Sequence, residues 1–583
     1  MKEHGRRILG SLPVDCLLLG AVAVLTCFPY ITGLGFYGDD WGVLGVFGSL
    51  TDHFFGRLFS LLAHHHLGLS RPGQMLYMAL QYKVFGFQPI GYHVVNTAVL
   101  ALGAILFYLT LRQLGQDRLI ALSVGLVFSL LPHFSTTRFW YAASQGNLSL
   151  AFYFLSLYSD LRMLKANYSR RWLWKGIGWV SLLGSVLCYE SVLPLFLLNP
   201  LLVWHRRRQL EVASRMDQGQ SSTGLPVAPL TSMRLALLLA TNLLVLAPPV
   251  ILKVLYASRV PRHFNLADYF LSFFRLVKDA FVVSYGVYGI KLPQVLWKIE
   301  HEYRDALVAL LGLTLGMVVF LFLRQRVVWG NAKERPAQHH VSAGNTPLKP
   351  KAMLFLIGFG MAVFALGYAI ASAIGLSQTS PTGMINRINS AAAIGVALSF
   401  VGFVGLLSSC FRKQEVKRNL FCGLIALLCA SNIIVNATIA SFWVRAYKRE
   451  QTILQAIYQS FPQLGPGSIV LLDGVCPYDG PAIVFESYYD LWGALASHYH
   501  DLTLRADVVT SRTKVGTAGI STFLYNRWID YPYGENTFVY RFDHRMVYPI
   551  PNAQAAHRYF ETIRSNWDNY CPPGAPGMGS QIF

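Results

Sequence analysis

Charge is what this chain of 583 residues has least of. Asp, Glu, Lys and Arg together supply 13% of it, against about 25% in ordinary soluble domains. Hydrophobic residues supply 54% and mean hydropathy is +0.41. Polar side chains are therefore too few to coat a string of globular cytosolic domains, and that class is excluded. Aromatic residues make up 14%, which excludes a disordered chain. Cysteine is also scarce: eight residues are too few for a disulfide scaffold. No Walker A motif, dinucleotide fingerprint or H-E-x-x-H spacing occurs, and no repeat of 20 to 50 residues is visible. ATP-driven pumping and nicotinamide chemistry lose their support.

What the chain does have is long apolar runs. A hydrocarbon core about 30 Å thick needs roughly 20 apolar residues in a helix. Such runs start near Ile8, Ile90, Leu119, Tyr141, Leu173, Ser191, Leu235, Ala306, Met353, Ser390 and Leu420. The first contains Pro13 and Asp15 and lacks a small-residue cleavage site, so it reads as a retained span. The fold expected is a polytopic α-helical membrane protein of about 11 transmembrane helices over residues 1–441, followed by a small mixed α/β domain over residues 442–583.

The net charge of +20, from 49 basic and 29 acidic residues, would suggest nucleic acid in a soluble protein. Threaded through a membrane with its N-terminus in the cytoplasm, the chain instead sorts its basic residues onto short cytoplasmic loops. Arg170–Arg171, Arg206–Arg208 and Arg412–Lys413 are examples. Much of the charge is thus a topology signal, and no nucleic-acid partner is expected. The tail from about Phe442 falls outside. It carries strand-like runs at Ser468–Leu472 and Thr537–Arg541, and Cys476 and Cys571, which could pair in an oxidising compartment or remain free thiols. The sequons at Asn147, Asn167 and Asn436 fall in spans or cytoplasmic loops and the tail has none, which favours a bacterial inner membrane. Gln218–Pro229 and Asn331–Pro350 read as mobile cytoplasmic linkers.

The outer loops hold the unusual residues. The first, about Tyr30 to Pro89, opens with Tyr37-Gly38-Asp39-Asp40-Trp41. Adjacent carboxylates repel, and one of them could take a proton from a substrate hydroxyl. The alternative is that one Asp caps a helix and the other is solvated. Asp52–Phe59 and Gln74–Phe85 suit helices lying in the membrane interface, as does Tyr269–Lys278 in the second long loop. Arg387 stands where a later span begins and is either a fork for a lipid phosphate or an arginine that snorkels to water. Glu190 lies between two apolar stretches and is a functional candidate or part of an exposed turn; His133 and Arg138 border the turn before the fourth span. His64-His65-His66 invites a metal, but consecutive residues rarely converge on one ion, so a divalent metal is not favoured and no cofactor is expected.

These residues together resemble a known family. The acidic pair after the first span is followed by Arg71-Pro72. Then comes Gly86-x-x-Pro89-x-Gly91-Tyr92-His93-x-x-Asn96 leading into the second span. A Pro–aromatic turn at Pro132–Trp140 and an acidic residue before a Leu-Pro span, Glu190, complete the set. The pattern is similar to the glycosyltransferase C superfamily, near its protein O-mannosyltransferase-like branch whose members carry tetratricopeptide tails. Where that branch often has His-Lys-Ser-Tyr, this chain has Leu67-Gly68-Leu69-Ser70; a common lysine is replaced by Tyr189, and no tetratricopeptide repeats follow.

The resemblance implies an inverting transfer of sugar from a polyprenyl-phosphate carrier to an acceptor hydroxyl on the extracytoplasmic side. The acceptor could be protein, lipid or glycan. It implies Asp39 and Asp40 as the catalytic pair, with Asp39 the first choice as base, and Arg71, His93, Arg138, Glu190 and Arg387 on the substrates. Two rivals share the layout: a transporter or flippase of lipid-linked sugars, and a polysaccharide polymerase or ligase.

Overall fold

The computed structural model describes residues 12–49, 54–64, 66–218, 232–256, 265–303, 305–333, 348–510, 512–524 and 527–563. The N-terminal Lys and Arg residues, Cys571 and most of both expected linkers lie outside the described residues.

Every apolar run of the sequence carries a helix. Helix α1 spans Leu12–Cys27. The first long loop then folds into α2 (Asp39–Gly48), α3 (Phe54–His64) and α4 (Pro72–Phe85). The bundle continues with α5 (Pro89–Gln113), α6 (Arg118–Leu130), α7 (Gln145–Met163), α8 (Tyr168–Cys188), α9 (Asn199–Gln218) and α10 (Ser232–Tyr256). Helices α11 (Leu266–Phe281) and α12 (Leu292–Glu302) fill the second long loop. Then follow α13 (Ala306–Lys333), α14 (Pro350–Leu366), α15 (Ala392–Ser409) and α16 (Gln414–Ser460). Six of these regions are long and apolar enough to cross a membrane: α5, α10, α13, the α14 region, α15 and α16. Helices α1 and α6 are apolar but shorter.

The helices of the first and second long loops lie where the sequence placed amphipathic segments. Prolines 72 and 89 start α4 and α5 at the position where a missing N–H costs nothing. Phe55 and Phe59 stay exposed on α3, as an interfacial helix requires.

Several charged residues inside the bundle are paired. Asp15 of α1 accepts from Tyr108 at 2.6 Å and from Arg118 at 2.5 Å. Lys175 of α8 donates to Asp160 at 3.0 Å and to Asn242 at 2.7 Å, and Asn242 donates back to Asp160 at 3.0 Å. The three sit on α8, α7 and α10 and tie those helices together. Helices α14 and α15 approach through glycines: a Cβ on Gly395 would lie 2.3 Å from the Gly360 carbonyl oxygen. Small residues at such seams let membrane helices pack without a side chain between them.

The expected boundary at residue 442 falls inside a helix. Helix α16 runs unbroken for 47 residues, from Gln414 to Ser460, about 70 Å at 1.5 Å per residue. That is roughly twice a hydrocarbon core, so its second half leaves the bundle and carries the next unit. The composition changes at residue 442, but no helix-breaking residue interrupts the run. Beyond Phe461 a mixed unit forms. Strands β1 (Ile469–Asp473), β4 (Arg505–Val508), β8 (Thr537–Arg541) and β9 (Met546–Pro549) make a sheet in the order β4-β1-β8-β9, after the short pair β2 (Tyr478–Asp479) and β3 (Ala482–Ile483). β1 is parallel to β4 and β8, and β9 is antiparallel to β8. An antiparallel sheet of β5 (Lys514–Val515), β6 (Gly519–Leu524) and β7 (Arg527–Pro532) and helices α17 (Tyr488–Tyr499) and α18 (Ala553–Ile563) complete it. Cys476 is disulfide-bonded.

This unit does not hang free. Trp41, Phe47, Trp140, Trp443, Ile483, Leu491 and Tyr540 belong to one buried apolar cluster that joins the first loop, α16 and the domain. Helix α2 lies against α17 through glycines. A Cβ on Gly45 would be 3.0 Å from the Gly493 carbonyl oxygen, and one on Gly493 would be 2.2 Å from that of Trp41.

Candidate functional site

The turn Tyr37–Trp41 is built rigidly. Gly38 has φ +48 and a Cβ there would lie 3.2 Å from Ile483 and 3.4 Å from Trp140, so glycine serves both the backbone and the close approach. The Tyr37 hydroxyl donates to the Trp443 carbonyl at 2.8 Å, and the Trp140 indole N–H donates to the Tyr37 carbonyl at 2.8 Å. The turn is thereby tied to α16 and to the loop before α7.

The two adjacent carboxylates divide. Asp40 is fully buried; Oδ2 accepts from the Tyr37 amide at 2.9 Å and Oδ1 from the Ala142 amide at 2.6 Å. Burial pushes its pKa well up, against the pull of those amides. Asp39, the first residue of α2, is exposed and has no hydrogen-bond or ion-pair partner among the described residues. The helix start favours negative charge there. Of the two, Asp39 is the exposed one, while Asp40 is sealed and holds the turn.

Arg387 is half-buried in a 3₁₀ turn, Met384–Asn389, and its guanidinium stacks 4.8 Å from the Trp140 ring. No carboxylate lies within ion-pair distance of it among the described residues. Its neighbours are anchors. Asn386 Oδ1 accepts from the Thr136 amide at 3.1 Å, and Asn389 donates to the His133 carbonyl at 3.0 Å. Asn96 donates to the Thr137 and Arg138 carbonyls at 2.9 and 3.2 Å. Three asparagines from two elements thus fix the loop that carries Trp140, and Arg387 stacks on Trp140.

Arg71 and Glu190 form a two-pronged ion pair, at 3.2 and 2.5 Å, with the Arg71 guanidinium 4.7 Å from the Tyr189 ring. Lys253, at the end of α10, donates to Glu190 at 3.0 Å and to the Ser70 carbonyl at 2.9 Å. Burial raises the Glu190 pKa, but Arg71 and then Lys253 outweigh it and hold it down to about 2. Glu190 is neither a bare charge in the membrane nor a free turn residue. It is the hub of a cluster with one net positive charge, and Asp39 is within electrostatic reach of Arg71.

Two more of the expected substrate residues are buried. Arg138 is buried. Its guanidinium donates to the Ser129 and Leu131 carbonyls and lies 5.4 Å from the Phe134 ring, so it closes the C-terminal end of α6. His93 is 1% exposed and its Nε2 bonds the Gly35 carbonyl at 2.8 Å. Both are held by backbone carbonyls. The side chains of His64–His66 lie outside the described residues.

Sequence reasoning missed Glu486 and the partnership of Lys253. Glu486 precedes the capping box of α17, in which Ser487 and Asp490 satisfy each other's backbone. The Glu486 amide donates to Asp490 at 2.7 Å and its carboxyl accepts from the Tyr478 hydroxyl. Asp39 and Arg387 both lie within its electrostatic reach. The capping box is legible in Ser487-x-x-Asp490; the proximity to Asp39 is not, because it depends on how α17 docks on α2.

No protein-family model and no curated protein matches the chain. Solved structures do. ArnT from Cupriavidus metallidurans, bound to undecaprenyl phosphate, shares 16% identity over 83% of this chain and 84% of its own, with a TM-score of 0.34. The archaeal oligosaccharyltransferase AglB from Archaeoglobus fulgidus, in complex with an inhibitory peptide and a dolichol-phosphate, shares 12% identity over 86% of this chain and 64% of its own, with a TM-score of 0.35. Neither superposition is close.

Proposed function

We propose that the protein is an integral membrane glycosyltransferase. It moves a sugar from a polyprenyl-phosphate carrier to an acceptor hydroxyl on the extracytoplasmic side, with inversion at the anomeric carbon. One observation carries this reading: an exposed Asp39 at the start of a helix, at the junction where the apolar bundle meets the polar domain, with Arg387 stacked on Trp140 nearby, neither having an ion-pair partner among the described residues.

A single displacement needs one base and a stabilised leaving group. Asp39 takes the proton of the acceptor hydroxyl as its oxygen bonds the anomeric carbon. The bond from that carbon to the phosphate oxygen breaks, and the phosphate leaves with the electron pair. Arg387 is the free guanidinium for its growing charge. The Arg71–Glu190–Lys253 cluster adds net positive potential on the same side of Asp39. The carrier's isoprenoid chain lies among the apolar helices, and the acceptor approaches from the domain side. No second nucleophilic carboxylate is required.

The test is release of free polyprenyl phosphate by purified protein in proteoliposomes, offered a panel of farnesyl-phosphate-linked sugars together with hydroxyl acceptors, methyl glycosides and N-acetylserinamide. Wild type releases it and Asp39→Asn, folded to the same melting temperature, does not. Full turnover by Asp39→Asn, or no release from any donor together with movement of intact labelled lipid between leaflets, sinks the assignment; the second result is that of a flippase.

A further inference from the structure

Single displacement leaves one nearby carboxyl group without a task. Glu486 comes from the domain and lies within electrostatic reach of Asp39. Ile483, three residues before it, packs on Gly38, the residue before Asp39. Tyr478 of β2 donates to its carboxyl, Asp490 of α17 holds its amide, and Asp39 of α2 and Arg387 face it from the bundle side. No cation pairs with it directly among the described residues.

We propose that Glu486 is an acceptor-binding residue and that the acceptor is a carbohydrate: Glu486 takes a hydrogen bond from the hydroxyl beside the one that Asp39 deprotonates. This rests on the transferase reading. A carboxylate is an acceptor only, and a half-buried one beside another negative charge is costly unless donors reach it. A sugar ring offers two neighbouring hydroxyls, one for each carboxylate. A serine or threonine side chain offers one and would leave Glu486 unsatisfied. The half-buried Tyr478 ring beside Glu486 adds apolar surface of the kind that lines small-molecule sites.

The charge state supports the same role. Burial pushes the Glu486 pKa up; the Tyr478 hydrogen bond opposes that, Asp39 adds to it and Arg387 opposes it, leaving it at about 7. Below that pH the group is protonated and cannot serve as a full acceptor. Acceptor binding therefore strengthens as pH rises through neutrality.

The experiment uses the full chain in proteoliposomes, a farnesyl-phosphate sugar that it consumes, and two acceptors: methyl glycosides and N-acetylserinamide. Methyl glycosides are expected to be used and N-acetylserinamide not. Glu486→Gln raises the glycoside KM about 10-fold, the loss expected for one hydrogen bond to a charged group, and leaves donor KM unchanged. It also removes the rise in kcat/KM between about pH 6 and 8. Tyr478→Phe moves the midpoint of that rise upward, because its hydroxyl holds the carboxyl down. Wild-type KM and pH profile in Glu486→Gln, or transfer to serinamide or to neither acceptor, overturns the inference while donor consumption keeps the transferase reading. A wild-type protein that consumes no donor overturns both.

Discussion

Asp40 accepts a 2.6 Å hydrogen bond from the backbone amide of Ala142, 102 residues away. The bond places α2 against the loop that carries Trp140, on which Arg387 stacks, and leaves Asp39 as the open member of the pair. Substitutions at the two positions therefore separate. Asp40→Ala strands two buried amides at about 1–3 kcal/mol each and lowers the melting temperature together with activity. Asp39→Ala removes activity at unchanged melting temperature. Equal melting curves for both variants would contradict this division.

Arg387 has its face on Trp140 and no carboxylate partner among the described residues. Arg387→Lys keeps the charge and loses the planar fork and the stacking. Donor KM is expected to rise about 10-fold or more for Lys and for Ala alike, with the melting temperature little changed. Steady-state kinetics at varied donor concentration reads this out; a donor KM equal to wild type removes Arg387 from the phosphate.

The Arg71–Glu190–Lys253 cluster is bound by one acid between two bases. Because the folded Glu190 pKa is depressed to about 2, its contribution is present above the ordinary carboxyl pKa of about 4.3. It fades as pH falls towards 2. Glu190→Gln leaves two cations facing each other and costs about 1–3 kcal/mol, less than a fully buried pair because each partner keeps some solvent. Melting curves of detergent-solubilised protein at neutral pH measure that loss.

Gly493→Ala sets a methyl group 2.2 Å from the Trp41 carbonyl oxygen. Backbone must shift, so α17 and Glu486 move away from α2 and Asp39. Transfer is expected to fall well below wild type while donor binding, which depends on Arg387 and Arg71, persists. Transfer at the wild-type rate would show that the seam does not set the site.

Deep in the bundle, Lys175→Met strips the cation from Asp160, which is fully buried. Breaking such a pair costs about 3–5 kcal/mol. Thermal stability drops, but activity per folded molecule stays, since α7, α8 and α10 hold this trio away from the site residues. Changed kinetics in the surviving folded fraction would tie the trio to the reaction.

The apolar runs were readable because burial in lipid demands uninterrupted hydrophobic length, which is a property of sequence alone. Interfacial helices at Phe54–His64 and Leu266–Phe281 were readable for a similar reason: their periodicity is local. So were β1 and β8, near Ser468–Leu472 and Thr537–Arg541. The acid pair at 39 and 40, Arg71, Glu190 and Arg387 stood out as charges in an apolar context. What the linear chain could not separate was which charges face an opening. Arg138 and Arg387 look alike in sequence, yet one closes a helix end and the other stays free.

By itself, then, the order of residues determined the helices and the places where charge interrupts them, since both follow from hydropathy and period within a short window. Tertiary structure alone decided that Asp39 is open while Asp40 is sealed, that Lys253 joins Glu190 from 63 residues away, and that Glu486 faces Asp39. Those relations depend on packing across long sequence separations, where glycine seams and asparagine anchors set the distances and no local pattern announces them.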